Sequence, residues 1–144
     1  MPEAFTLEVH TPHRLFFSGK VRGAIVPLDD GEAGIVVNHS PFIAPLAVGI
    51  LKIQDADGLW TEAFITSGIL EVKTRKTVIL VEAAEWPGEI NEAAARASKN
   101  EAEETLKTRI LKFETATARE KLKRAEMRLK VAGRGRPGTT EIAE

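Results

Sequence analysis

Cysteine and tyrosine are absent from the 144-residue chain, and tryptophan and methionine occur twice each. Without cysteine there is no disulfide, no thiol nucleophile, no iron–sulfur cluster and no cysteine zinc site. The chain neither needs nor exploits an oxidising compartment. Long hydrophobic runs are lacking too: none approaches the roughly 18 residues that cross a bilayer. The opening Met1-Pro2-Glu3-Ala4-Phe5 has no basic segment followed by an apolar core. A secretory signal is therefore not expected. The chain is expected to begin in the cytosol and to meet a membrane only through a partner. A hydrophobic content of 43% is ordinary for a globular protein, so wholesale disorder is not expected. The length suits one domain, or one small domain with an appendage.

Excess charge of either sign is missing as well, since the formal net charge is −1. That average hides a segregation. Residues 1–95 hold 7 basic and 13 acidic side chains, a net of −6. Residues 96–136 hold 13 basic and 6 acidic, a net of +7, and Glu141 and Glu144 follow. An acidic body thus carries a basic appendage, which is expected to meet an acidic surface.

Up to about residue 86 the pattern has period two. Phe5, Leu7 and Val9 share one face of an extended segment, and Thr6 and Glu8 share the other. Strand-like segments follow at 21–27, 34–37, 49–54, 60–66, 69–73 and 77–82, rich in residues that suit a pleated surface. Ser18-Gly19, Asp29-Asp30-Gly31, Asp55-Ala56-Asp57-Gly58 and Ser67-Gly68 read as turns between them. Pro41 and Pro45 make Ser40–Leu46 a loop or an edge. Such a series predicts an antiparallel sandwich or barrel.

From Ile90 to Ala132 glycine and proline are absent, and strong helix formers dominate. Ala118, Leu122, Ala125, Leu129 and Ala132 form one narrow apolar stripe. Ala102, Leu106, Ile110 and Phe113 form another. Two stripes predict an antiparallel helical hairpin, although one continuous helix of about 65 Å also fits the pattern. Thr117-Ala118-Arg119-Glu120 has the form of a capping box and places a second helix start just after Thr117. Alanines make a shallow seam, so the appendage is expected to be weakly held. Lys121, Arg124 and Arg128 line one edge of the second stripe. Arg124 and Arg128, one turn apart, suit carboxylates or phosphates.

The familiar catalytic patterns are missing. No phosphate-binding glycine loop with Lys-Ser/Thr occurs, and no Gly-x-Ser-x-Gly elbow. His10 and His13 lack a third nearby ligand for zinc. His39-Ser40 are neighbours on an extended chain and point apart. Asp29-Asp30-Gly31-Glu32 lacks the spaced ligands and closing glutamate of a calcium loop. Arg134-Gly135-Arg136-Pro137 has the core of a minor-groove hook, but Thr139, Thr140 and Glu141 follow where such hooks carry basic flanks.

In order along the chain, several segments carry a resemblance. They are Phe16-Phe17-Ser18-Gly19, then residues 26–35 (Val-Pro-Leu-Asp-Asp-Gly-Glu-Ala-Gly-Ile), then Asn38-His39-Ser40-Pro41, residues 46–51 and residues 67–72. Together they resemble the epsilon subunit family of bacterial F-type ATP synthases, called delta in mitochondria. The resemblance runs from about Phe5 to Ala132. It implies a β-sandwich over 1–86 that binds the gamma subunit and sits on the ring of c subunits. It implies a helical regulatory segment over 87–132, with a tail at 133–144 expected to be disordered. Asp30, Glu32 and His39 would face the rotor. The basic face of Lys121, Arg124 and Arg128 would meet the alpha and beta subunits and oppose ATP hydrolysis. The protein would then be a non-catalytic part of a proton- or sodium-translocating complex, peripheral on the cytoplasmic face of the cell membrane.

Relatives that bind ATP are implied to use an Ile/Leu-Asp-x-x-Arg-Ala motif with basic residues of the second helix. Here the motif falls on Ile90 to Ala95, with Asn91 for the acid and Ala94 for the arginine. Arg124 and Arg128 match the second-helix arginines. Losing the first-helix charge removes a charge-assisted contact of about 1.5–3 kcal/mol. ATP binding is therefore expected to be weak or absent, with no other cofactor and no metal. The competing reading is a DNA-associated adaptor using the basic helix and the Arg-Gly-Arg-Pro tail. Such binding would weaken steeply with salt.

Overall fold

A computed structural model describes residues 4–108 and 112–134. Ten strands come first: β1 (Phe5–His10), β2 (Leu15–Val21), β3 (Gly23–Leu28), β4 (Gly31–Ile35) and β5 (Phe42–Leu46), then β6 (Gly49–Gln54), β7 (Trp60–Ile65), β8 (Gly68–Val72), β9 (Lys76–Val81) and β10 (Ala84–Glu85). A single 3-10 turn at Pro87–Glu89 leads to α1 (Glu92–Thr108) and α2 (Lys112–Arg134).

The strands form two five-stranded sheets, ordered β2-β1-β9-β8-β5 and β10-β7-β6-β3-β4. The alternation at Phe5, Leu7 and Val9 behaves as expected: all three are buried between the sheets. Val26, Ile35, Leu51, Ile65, Leu70 and Ile79 complete the centre of that core. Neighbours are antiparallel except for one pair, β1 and β9, which run parallel. That pair joins the first strand of the body to one of its last.

Two predicted turns are strand. Leu15–Val21 pairs along β1, with Ser18 opposite Glu8 and Gly19 opposite Leu7, so Ser18-Gly19 is an interior segment of β2. Gly68 opens β8 rather than sitting in a turn, and a Cβ there would drive into the Leu80 carbonyl oxygen. The strand pairing needs glycine at this close approach. The expected hairpin at Asp57-Gly58 does form. Gly58 has φ +88°, and the Asp55 side chain accepts from the amides of Asp57 and Leu59. Ser40–Leu46 resolves as an edge: β5 ends its sheet and tolerates Pro45 there.

The helices differ from expectation at their boundary. Thr117 lies inside α2, which already begins at Lys112. The capping-box pattern is not used, because the i to i+4 ladder continues through it and no Gly or Pro interrupts it. Asn91 instead caps α1, with its Oδ1 accepting from the Ala94 amide at 2.9 Å. The two helices pack antiparallel. Ala95 and Ala102 of α1 are buried, as are Ala118, Ala125 and Ala132 of α2. Ile110 and the side chain of Phe113 fall outside the described residues.

A clamp marks where the body ends. Trp86 stacks on Phe16 at 4.3 Å between ring centroids and meets Phe17 edge-on. The Arg14 guanidinium lies over the Phe16 ring and forks onto both Glu89 carboxylate oxygens at 2.8 Å. Glu89 also accepts from the Trp86 amide at 2.9 Å. Arg14, and then that amide, hold the Glu89 carboxyl below its ordinary range. A carboxylate depressed in the folded state stabilises fully above its unfolded pKa, and the gain disappears as pH falls through the folded value. Glu89→Gln should therefore lower the urea midpoint at pH 7. The difference from the unaltered protein should shrink as pH falls below the ordinary glutamate range.

Candidate functional site

The outer face of the second sheet is apolar where it meets the helices. Val48, Ile50 and Phe64 join Ile90, Val131 and Ala132 in a buried cluster, with Met127 against it. The C-terminal half of α2 is thus laid on β6 and β7. The hairpin seam holds α1 onto α2.

Charge surrounds that apolar contact, and every predicted residue of the basic face takes part. Arg128 donates from Nε to Glu85 Oε1 at 2.7 Å and from Nη2 to Oε2 at 3.1 Å. Both side chains are about three-quarters buried, at 23% and 25% exposure. Arg124 Nη2 lies 3.9 Å from Glu82 and 3.8 Å from Glu120 of its own helix. Its Nε is buried without a hydrogen-bond partner. Lys121 pairs with Glu101 across the hairpin, and this contact lowers the Glu101 carboxyl from its ordinary range. Of the three, Arg128 is largely buried, while Lys121 and Arg124 remain 45% and 39% exposed. All three face carboxylates of this same chain.

A cleft of about 340 Å³ lies between these groups, lined by Thr66, Ser98, Lys121, Arg124 and Arg128 with Glu85 at its wall. Its floor is fixed by strand contacts. Thr66 donates its amide to the Ala83 carbonyl, and its hydroxyl accepts from the Ala83 amide. Glu85 pairs with Phe64 in the sheet. From α1 only Ser98 reaches the cleft. Ile90 is buried under α2, Asn91 is occupied as the helix cap, and Ala94 is exposed. Aspartate caps a helix as well as asparagine, so Asn91 alters charge and leaves the cap intact.

The rotor residues divide between two ends. Asp30 sits in the two-residue turn joining β3 to β4, and Glu32 is the second residue of β4, with a 3.9 Å contact to Lys52. His39 comes after the far end of β4, beyond Asn38, whose φ is +63°. Its Nδ1 lies 2.9 Å from the Ser40 carbonyl, and its ring tilts against Phe42. The rest of β4, roughly 10 Å at about 3.3 Å per residue, lies between Glu32 and the segment that carries His39. The acidic turn and the histidine do not form one site.

The decoy residues have local roles. His10 Nε2 meets Glu8 at 3.0 Å, while the backbone amide of His13 turns onto the Thr11 hydroxyl. The Gly135-Arg136-Pro137 part of the hook lies outside the described residues.

One surface was missed by sequence reasoning. Across the outer face of the first sheet, Leu15, His10, Leu80, Ile69 and Pro45 stand in register on five adjacent strands. Leu15, Leu80 and Ile69 are each at least half exposed, and Ile43 stands one row away at 70%. No described element covers this face. The signal was present in Val78-Ile79-Leu80-Val81, which is apolar on both faces of a strand expected to have a wet side. Glu82 and Glu85 were missed as well, because nothing in the pattern aims them at α2.

Residues 4–87 match the model of the ATP synthase delta/epsilon chain β-sandwich domain, and residues 89–133 match that of its long α-helix domain. The ATP synthase epsilon chain of Caldanaerobacter subterraneus subsp. tengcongensis is 46% identical over 135 residues, covering 93% of this chain and 97% of that one. The epsilon chain of Ruminiclostridium cellulolyticum is 40% identical, covering 92% and 98%. A chain in the cryo-EM structure of the Euglena gracilis mitochondrial ATP synthase (OSCP, F1 and c-ring) shares the fold. Its TM-score is 0.79 at 20% identity, over 92% of this chain and 82% of that one.

The apolar cluster gives a direct expectation for the docked arm. Val131→Ala should loosen α2 from the sheet by about 2 kcal/mol. Amide exchange in 118–132 should rise about thirtyfold, while exchange in β1, β8 and β9 stays unchanged.

Proposed function

The chain belongs to the ATP synthase delta/epsilon family, and from that premise we propose that it is a non-catalytic rotor subunit that regulates ATP hydrolysis. The observation that carries the regulatory part is the basic helix docked on an acidic body over a small apolar cluster. A helix held this way can be exchanged onto another acidic surface. The alpha and beta subunits are the partners for Lys121, Arg124 and Arg128 when the arm leaves the sandwich.

The coupling part rests on two other surfaces. The bare apolar row of the first sheet, Leu15, Leu80 and Ile69, is of the kind that marks a protein interface. We assign it to the gamma subunit. The acidic turn of Asp30 and Glu32 suits the c-ring by charge complementarity. His39, at the other end of β4, then belongs with gamma rather than the ring. No helix among the described residues is long and apolar enough to cross a membrane. Attachment at the cytoplasmic face of the membrane would come through the ring, whether protons or sodium ions drive it.

Two experiments test this reading. Removing residues 88–144 should leave the subunit in the synthase and raise ATPase activity of the isolated catalytic sector. No rise would refute inhibition by the arm, and loss of assembly would move essential rotor contacts into the helices. Titration of the full chain with ATP should show no saturation below millimolar concentration. The cleft offers Arg124 and Arg128 but only Ser98 from α1, and Glu85 already occupies Arg128. A micromolar dissociation constant would overturn the expectation.

A further inference from the structure

The uncovered face of the first sheet is not uniform along its strands. Pairing sets its outward side chains in three parallel rows, about 7 Å apart because every second residue of a strand shares a face. The first row is the apolar one of Leu15, Leu80 and Ile69, with His10 among them. In the second row Val78 of β9 stands between Glu8 of β1 and Glu71 of β8. The third row is basic. Thr6 lies between Lys20 of β2 and Lys76 of β9. Lys73 extends the row, and its amide donates to the Lys76 carbonyl at 2.8 Å. Arg75 sits in the turn between β8 and β9, where its carbonyl accepts from the Thr6 amide at 2.9 Å.

The charges of these rows are engaged unequally. Glu8 is held from two sides, by His10 Nε2 at 3.0 Å and Lys76 Nζ at 3.3 Å. Lys20, Lys73 and Arg75 are exposed and make no ion pair among the described residues, and neither does Glu71. The basic row also borders the loop of His39, because the Asn38 amide donates to the Thr74 carbonyl at 3.0 Å.

We propose that this face reads the polarity of the gamma segment laid on it: an apolar end over Leu15, Leu80 and Ile69, an acidic end over Lys20, Lys73 and Arg75, and a basic group between them facing Glu71. This rests on the assignment of the face to gamma given above. Apolar contact has no direction of its own, so a row of Leu and Ile accepts a partner running either way along the strands. The cations remove that freedom. Turned end for end, the partner would lay its acids on the apolar row, where they lose water and gain no counter-charge. The free cations also act beyond contact, over roughly 8–10 Å at moderate salt, and so orient the partner during its approach. The acidic end of the gamma segment is then the end that reaches His39.

The test uses the full chain and the catalytic sector of its synthase, gamma included, stripped of this subunit. Rebinding is timed across a salt series. Lys20→Gln, Lys73→Gln and Arg75→Gln together should slow association about tenfold at low salt and flatten its salt dependence. These cations are exposed and unpaired, so their loss leaves the fold intact. Glu71→Gln separates polarity from bulk charge. It makes the chain more positive, so general attraction to an acidic partner would quicken association, whereas loss of a basic group seated over Glu71 slows it. Leu80→Asp should abolish rebinding through this face. Unchanged association in the triple variant, or faster association with Glu71→Gln, would overturn the proposal. The gamma assignment survives that outcome if Leu80→Asp still abolishes rebinding. Full rebinding of Leu80→Asp would overturn both.

Discussion

The outer face of the second sheet cannot be left in water without cost. Val48, Ile50 and Phe64 present apolar surface there, and α2 covers it together with Ile90. Burying such side chains is worth roughly 1.5–3 kcal/mol apiece. The position of both helices follows from that one constraint. Once Val131 and Ala132 are laid on the sheet, Arg128 falls beside Glu85 and Arg124 beside Glu82. The α1 helix then packs on α2 through alanines. The ion pairs select the register of an arm whose location the apolar patch has already chosen.

The two sheets treat their outer faces differently. The second is closed by the chain's own helix. The first keeps Leu15, Leu80, Ile69 and Ile43 exposed across five strands. Among the described residues nothing covers that first face.

The β-body was largely legible because alternation imposes the same period on every half-buried strand. Phe5, Leu7 and Val9 read correctly, and so did the turn at Gly58. β2 escaped because a mid-strand Ser18-Gly19 imitates a turn, and only pairing with Glu8 and Leu7 reveals it. The helix boundary escaped for the opposite reason. Thr117 offers a local start signal, but a continuous ladder from Lys112 overrides it. Helical spacing put Lys121, Arg124 and Arg128 on one edge of α2, and all three line the cleft beside the sandwich. Their partners were hidden because Glu85 is aimed by its pairing with Phe64, a contact made by distant segments of chain. Asp30, Glu32 and His39 are close in sequence, yet a strand between them carries the histidine to the opposite end.

The clamp around Trp86 has a mechanical meaning. Arg14, Phe16 and Glu89 fasten the chain to the sandwich up to the last residue before Ile90. Any swing of the arm must therefore pivot at one place, next to the Asn91 cap. The α1 and α2 helices have 17 and 23 residues. At about 1.5 Å per residue they are roughly 26 and 35 Å long. Laid end to end, two helices of these lengths would span about 60 Å. The sandwich then acts as a mooring post, and the clamp determines which surfaces lie within range of the line.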